Sequence, residues 1–238
     1  MKKLISILSI LLFAIFMYSC KGKKSYTLKI IPRDTTALFD GIDVSSHQKT
    51  IDWEKVSSNK NIKFAYIKAT EGATYASPHY SYNLKMARQY GILVGSYHFF
   101  RSTSSLQDQF NNFTRTVPKE SQDLIPMVDI ETRGNWSREQ LIDSLEAFMG
   151  MLQRHYGYSP MIYSTMAFYN ANLSPYFNKY HLYIGRYSNL EPKINWNGRY
   201  TIWQFSERGM VDGIKKPVDL CKFSDIFWLT DIEIPTPI

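Results

Sequence analysis

The residues best suited to chemistry stand at Met127–Glu131 (MVDIE), where an apolar run ends in two carboxylates, Asp129 and Glu131, one residue apart. On a strand, positions i and i+2 point the same way, so both acids share a face. Two like charges so close resist ionising together, and one carboxyl then keeps its proton nearer neutral pH, where it can act as an acid. The bland alternative is a pair of strand-end carboxylates in solvent or bonded to Arg133. Two further acids weigh against it, because Asp43 closes FDGIDVS and Asp219 lies in VDLCKF, each among apolar neighbours where an unpaired carboxylate is costly. If the strands close into a barrel, all four acids meet at one mouth. Such an electronegative pocket suits general acid catalysis and a cationic transition state. A hard cation such as calcium is the competing occupant, but the chain lacks a calcium-loop pattern with its glycine and terminal Glu, so neither metal nor cofactor is expected.

Elements that would position these acids alternate along the chain. Strand-like runs at 39–44, 63–69, 92–100 and 124–130 alternate with longer helical patterns, and a fifth run stands at 161–164, as in a parallel sheet wrapped by crossover helices. Asp52 is the expected N-cap of a short helix reaching Ser58, and a second helix spans about 79–90, stopped by Gly91. Leu106, Phe110, Phe113 and Val117 repeat as the buried stripe of a third. Ser137 and Gln140 form a capping box opening the clearest helix, with Leu141, Leu145, Phe148, Met149 and Leu152 on one face and Gly157 beyond its end. After 164 the helical signal weakens and three strand-like runs follow, at 182–185, 200–205 and 218–223. The pattern predicts an α/β fold, an irregular TIM-like barrel of eight strands whose last helices are missing. The tail from Ser224 either packs over the barrel or hangs free.

The amino terminus is a separate matter. Lys2 and Lys3 precede an apolar stretch from Leu4 to Tyr18 that ends at Ser19 and Cys20, the form of a secretory signal too short to span a bilayer. A cysteine after a small residue at that point resembles a bacterial lipoprotein cleavage box, which makes Cys20 the expected lipidation site. The alternative is an ordinary cleaved signal with an incidental thiol, or a disulfide to Cys221. If Cys20 is acylated, Cys221 has no partner and should be buried and inert. The expected organisation is a signal peptide over 1–19, a tether over 20–38 and a barrel with a short extension over 39–238, exported and anchored in a bacterial cell envelope. Loss of the signal lowers the formal charge from +7 to +5. A basic exported protein suits anionic polymers such as wall glycans; no nucleic-acid-binding pattern is present, and a monomer is expected.

With these residues in view, the chain resembles the glycoside hydrolase family 25 muramidases, the Chalaropsis-type lysozymes. The resemblance covers about 39–223 and rests on GIDVSSHQ (41–48), IKATEG (67–72), YHF (97–99), DIE (129–131), IYS (162–164), WQFS (203–206) and VD (218–219). It implies a barrel of five β/α units followed by three strands. It also implies cleavage of the β-1,4 bond from N-acetylmuramic acid to N-acetylglucosamine, with peptidoglycan strands as the partner. Carried over, Glu131 is the general acid, Asp129 its neighbour in positioning substrate, and Asp43 and Asp219 the flanking acids. The 2-acetamido group could attack its own anomeric carbon with Asp129 holding the amide N–H; direct water attack based on Asp129 or Asp219 is the alternative.

Tyr97, Tyr163 and Trp203 are candidate sugar platforms, and Glu71 is either a rim hydrogen-bonding group or a structural carboxylate. His98, next to Tyr97, should be a structural histidine. Where the family commonly has Asn two residues after the last acid this chain has Cys221, and its YIGRY run departs from the usual Trp and Ala. Two other functions stay open: a catalytically weak tethered glycan-binding module, or a glycosidase for another acetamido-sugar polymer. The chitinase pattern D-x-x-D-x-D-x-E is absent, Leu124 and Met127 standing where its first two acids would be.

Overall fold

The eight apolar runs become the strands of one closed sheet in the computed structural model, which describes residues 26–28 and 31–237. The expected signal peptide and Cys20 lie outside the described residues. Lys29–Ile234 form one compact unit, and a second unit contains an antiparallel pair, Tyr26–Thr27 with Thr236–Pro237. In the larger unit the barrel strands are β1 (Gly41–Val44), β2 (Phe64–Glu71), β3 (Leu93–Phe99) and β4 (Met127–Asp129), then β5 (Met161–Thr165), β6 (Leu182–Gly185), β7 (Ile202–Gly209) and β8 (Val218–Phe223), and a ninth, two-residue strand, Tyr75–Ala76, pairs antiparallel with the end of β2. Strands β1 to β7 pair in parallel, and β8 lies antiparallel between β7 and β1. The pairing of β1 with both β2 and β8 closes the ring. The link from β7 to β8 is the loop 210–217, too short for the crossover a parallel return needs. It is therefore the start of β8 that reaches the mouth, and Asp219 arrives there from the reversed strand.

Five helices follow the first five strands: α1 (Trp53–Ser58), α2 (Tyr80–Gln89), α3 (Leu106–Thr116), α4 (Arg138–Tyr156) and α5 (Met166–Asn172). No described helix is long and apolar enough to cross a membrane. In α4 the local signals hold throughout. Ser137 and Gln140 form the capping box, Gly157 ends the helix in the left-handed region at φ 85°, and the five stripe residues are wholly buried. The stripe expected of α3 is corrected in part. Phe113 and Val117 are buried, but Leu106 and Phe110 are only half-buried, and the innermost positions include Gln109 and Asn112. Their amides tie loops to the mouth: Gln109 accepts the Arg101 N–H at 2.9 Å, and Asn112 donates to the carbonyls of Gly72 and Tyr75, each at 3.0 Å. A buried polar group needs such partners, and here they come from loops distant in sequence.

The period-2 alternation of the strands separates two cores. Outward residues such as Ile42, Val94, Val128 and Ile162 pack against the helices, while Phe64, Tyr66, Met127, Met161, Tyr183 and Phe223 fill the barrel. Gly95 makes room for one of these rings, since a Cβ there would stand 2.3 Å from Tyr66. Leu229 and Ile232 of the tail, both fully buried, plug the end away from the mouth, and Ile125 N–H donates to the Ile232 carbonyl at 2.9 Å. The expected tether is docked at 31–33, where Ile31 accepts the Trp228 indole N–H at 2.6 Å and Arg33 donates to the Asp225 carbonyl at 2.9 Å. Cys221 is a free, buried thiol inside the barrel.

Candidate active site

A cavity of about 160 Å³ opens at the carboxyl ends of the parallel strands and is lined by Asp43, Asp129, Glu131 and Asp219 together with Tyr97, Tyr163, Tyr187, Gln204 and Met127. Barrel enzymes place their chemistry at this end. Strand register brings the acids together in two pairs. Asp43 and Asp219 stand directly opposite one another on β1 and β8. Asp129 ends β4 beside Tyr163 of β5, and Glu131 follows two residues on.

The first pair is built into the wall. Asp43 Oδ2 accepts the Tyr183 hydroxyl at 2.7 Å and Gln204 Nε2 at 2.9 Å. The Gln204 carbonyl oxygen accepts the hydroxyls of Tyr163 at 2.8 Å and Tyr187 at 3.1 Å. Burial pushes the Asp43 carboxyl up, and the donations from Tyr183 and Gln204 pull it back. Asp219 is raised by burial and then by the charge of Asp43, to which it is hydrogen-bonded. The shared proton therefore resides on Asp219, and Asp43 keeps the charge.

The second pair has a different environment. Asp129 is buried and raised well above the ordinary carboxylate range, by burial first and by the charge of Glu131 second. Its Oδ1 is buried without a hydrogen-bond partner, and an orphaned acceptor on a cavity wall is a place for a ligand's donor. Glu131 is exposed as a residue, yet its carboxyl lines the cavity and interacts with Asp129. Burial of that carboxyl raises it, while Lys68 acts in the opposite direction. Tyr97 and Tyr163 are raised mainly by burial and stay neutral beside the acids.

Four expected acids and two expected aromatics thus share one cavity. Trp203 and Glu71 do not line it. Trp203 lies on the face of β7 opposite Gln204, nearly fully buried, with its indole N–H donating to the Arg186 carbonyl at 2.8 Å and Lys222 over its ring at 4.9 Å. Glu71 sits on the rim, paired with Lys68 at 2.6 Å and Arg101 at 2.6 Å. His98 is wholly buried between the Thr70 hydroxyl at 2.7 Å and the Gln109 carbonyl oxygen at 3.1 Å, the surroundings of a structural histidine. Gln204, Tyr183, Tyr187 and Lys68 were not singled out by the sequence reading. The available signal was parity, since Gln204 and Tyr183 occupy inward positions of otherwise apolar runs.

A barrel whose mouth gathers paired carboxyls and tyrosines has the make-up of a carboxyl-dependent glycosidase. Residues 42–214 match the glycosyl hydrolases family 25, and the chain belongs to that family of glycoside hydrolases. It is 36% identical over 214 residues to the uncharacterized protein YegX of Escherichia coli strain K12, covering 88% of this chain and 77% of YegX. It is 30% identical over 185 residues to the autolytic lysozyme of Clostridium acetobutylicum, covering 78% of this chain and 56% of that enzyme. A solved family 25 glycosyl hydrolase from Bacillus anthracis matches with a TM-score of 0.72 and 30% identity, covering 84% of this chain and 94% of that one. The TIM-like fold expected from the sequence is the fold of this family.

Proposed function

We propose that the protein is an exported muramidase that hydrolyses the β-1,4 bond between N-acetylmuramic acid and N-acetylglucosamine in peptidoglycan, with Glu131 as general acid. The observation that carries this reading is the Asp129 and Glu131 pair with the unpartnered Asp129 Oδ1 on the cavity wall. Before substrate binds, the deeper burial of Asp129 favours the pair's proton there. A 2-acetamido N–H donated to Oδ1 favours the ionised Asp129, so the proton passes to Glu131 as substrate binds.

Glu131 then protonates the leaving glycosidic oxygen while the acetamido carbonyl oxygen attacks the anomeric carbon and the glycosidic bond breaks. The product is an oxazolinium ion whose N–H is held by the Asp129 carboxylate. Glu131, now ionised, takes a proton from water as the water oxygen bonds to the anomeric carbon and the bond from that carbon to the acetamido oxygen breaks, restoring the 2-acetamido group on a reducing-end sugar. Asp43, Asp219 and Gln204 form the opposing wall and present acceptors to sugar hydroxyls, with Tyr97 and Tyr163 as flanking surfaces. The lysozyme character of the Clostridium relative supports the substrate class.

The test is mass spectrometry of reduced products from purified peptidoglycan treated with the protein or its Glu131→Gln variant. New reducing ends on N-acetylmuramic acid, made by the unmodified protein alone, are expected. Intact glycan despite binding would replace this reading with a glycan-binding module, and equal lysis by the variant would remove Glu131 from the chemistry. Attachment through a lipid on Cys20 belongs to the same proposal, and Cys20→Ala should move the protein out of the membrane fraction.

A further inference from the structure

The inward face of β2 climbs from Phe64 through Tyr66 to Lys68, placing an ammonium group at an otherwise acidic mouth. Lys68 is register-paired with Tyr97, which lines the cavity, and its side chain is only 16% exposed. An irregularity in the pairing of β2 with β3 falls between Lys68 and Thr70. Ala69 packs into the outer core and Thr70 bonds outward-facing His98, so two successive residues turn outward and Glu71 returns to the side of Lys68. Without that bulge, residues three apart on a strand would point to opposite faces.

The result is a cluster. Lys68 Nζ lies 2.6 Å from Glu71 Oε2 and 4.7 Å from the centroid of the Phe99 ring. Arg101 donates to Glu71 Oε1 from Nε at 2.9 Å and from Nη2 at 2.6 Å, and its guanidinium lies 4.4 Å from the same ring. Phe99 is register-paired with Asp129. Two cations thus share one carboxylate and one ring beside the acid pair, leaving a net positive charge there. Burial alone would raise Glu71, but the hydrogen bonds from Lys68 and Arg101 outweigh it and hold its carboxyl ionised.

We propose that Lys68, Glu71 and Arg101 form an electrostatic setting for the acid pair, in which Lys68 and Arg101 supply positive charge to Asp129 and Glu131 and Glu71 withdraws part of it. This rests on the proposed catalytic role of that pair and makes Lys68 and Glu71 positioning residues. Charges facing the pair act with consistent signs. Lys68 favours ionised Asp129 and Glu131 and Arg101 favours ionised Glu131, whereas Asp43 opposes ionisation of both and Glu71 opposes that of Asp129. Asp219 across the cavity holds a proton, and the phenols of Tyr97, Tyr163 and Tyr187 stay neutral. Without the cluster, burial and the neighbouring carboxylates would hold protons on Asp129 and Glu131 more tightly and disfavour the Asp129 anion that accepts a ligand's donor.

The test is a carboxyl-carbon NMR titration of Asp129 and Glu131 in the full chain, read beside the alkaline limb of the pH profile for release of reducing ends. Lys68→Met should move the pair's midpoints and the limb up by about one pH unit, and Glu71→Gln should move them down by about half a unit or more. Lys68→Arg should stay within about 0.3 of a unit of the unmodified protein, since it keeps the charge. Opposite shifts from the two charge-removing variants would bear the proposal out. Shifts of one sign, or activity lost with both midpoints unmoved, would overturn it and leave the cluster a structural clamp. The titration needs no turnover, so failure of the glycosidase assay would strike the functional reading alone.

Discussion

Replacing Tyr183 with Phe isolates a single hydrogen bond of the site. Tyr183 is fully buried, and its hydroxyl donates to Asp43 Oδ2 at 2.7 Å. The ring contacts to Tyr66 at 6.0 Å and Tyr163 at 5.5 Å survive in the variant, and Asp43 keeps Gln204 Nε2 at 2.9 Å. A hydrogen bond to a charged group is worth about 1.5–3 kcal/mol, and here a buried oxygen loses a donor that nothing replaces. The expected cost is about 2 kcal/mol, or roughly 6 °C in Tm for a chain of this length. Its pH dependence follows from Asp43. Burial raises that carboxyl in the folded state, so its contribution to stability is greatest below its unfolded pKa of about 3.9 and falls as pH rises through the folded value. The Tyr183 hydroxyl opposes that loss by favouring the ionised form, so removing it matters most where Asp43 is charged. Urea unfolding of both proteins at pH 4 and pH 8 should show a deficit that grows toward pH 8. A deficit equal at both values, or larger at pH 4, would refute the assignment of charge to Asp43.

Trp203→Phe should leave KM for peptidoglycan within about twofold while lowering stability by about 1–2 kcal/mol, because it removes packing and the indole donation to Arg186 outside the cavity; a several-fold rise in KM with an unchanged Tm would put the ring in the cleft. The His98 imidazole should titrate in the folded protein near pH 4, pushed down by burial, against about 6.5 in the unfolded chain. Neutral His98 then contributes fully above pH 6.5, and about 3 kcal/mol is lost as pH falls toward 4, so an NMR midpoint above 6 would contradict its burial.

Some of this was decided by neighbours in sequence. Helix α4 was legible because a capping box, a 3.6-residue stripe and a left-handed glycine are local signals, complete within a score of residues. The spacing of Asp129 and Glu131 and the apolar setting of Asp43 and Asp219 were likewise readable, since burial of an acid is costly wherever it occurs. The alternation of runs was enough for the barrel and its missing late helices.

What the chain alone left undecided depends on partners brought from far away. Tyr183 and Gln204 reach Asp43 across 140 and 161 residues, and nothing local to either marks it as a donor to that carboxylate. Of the α3 stripe, Phe113 and Val117 are buried as expected, but Leu106 and Phe110 are only half-buried, and Gln109 and Asn112 are held inward by loops that folding brings against them. Trp203 and Gln204 exchange faces with a shift of one residue, and Glu71 joins Lys68 because a bulge supplies such a shift in β2. Local pattern therefore determined which elements form and which residue types a mouth of this kind requires. Register and closure decided which side chains meet there, because the face a strand residue occupies is set by pairing with strands its own neighbours cannot specify.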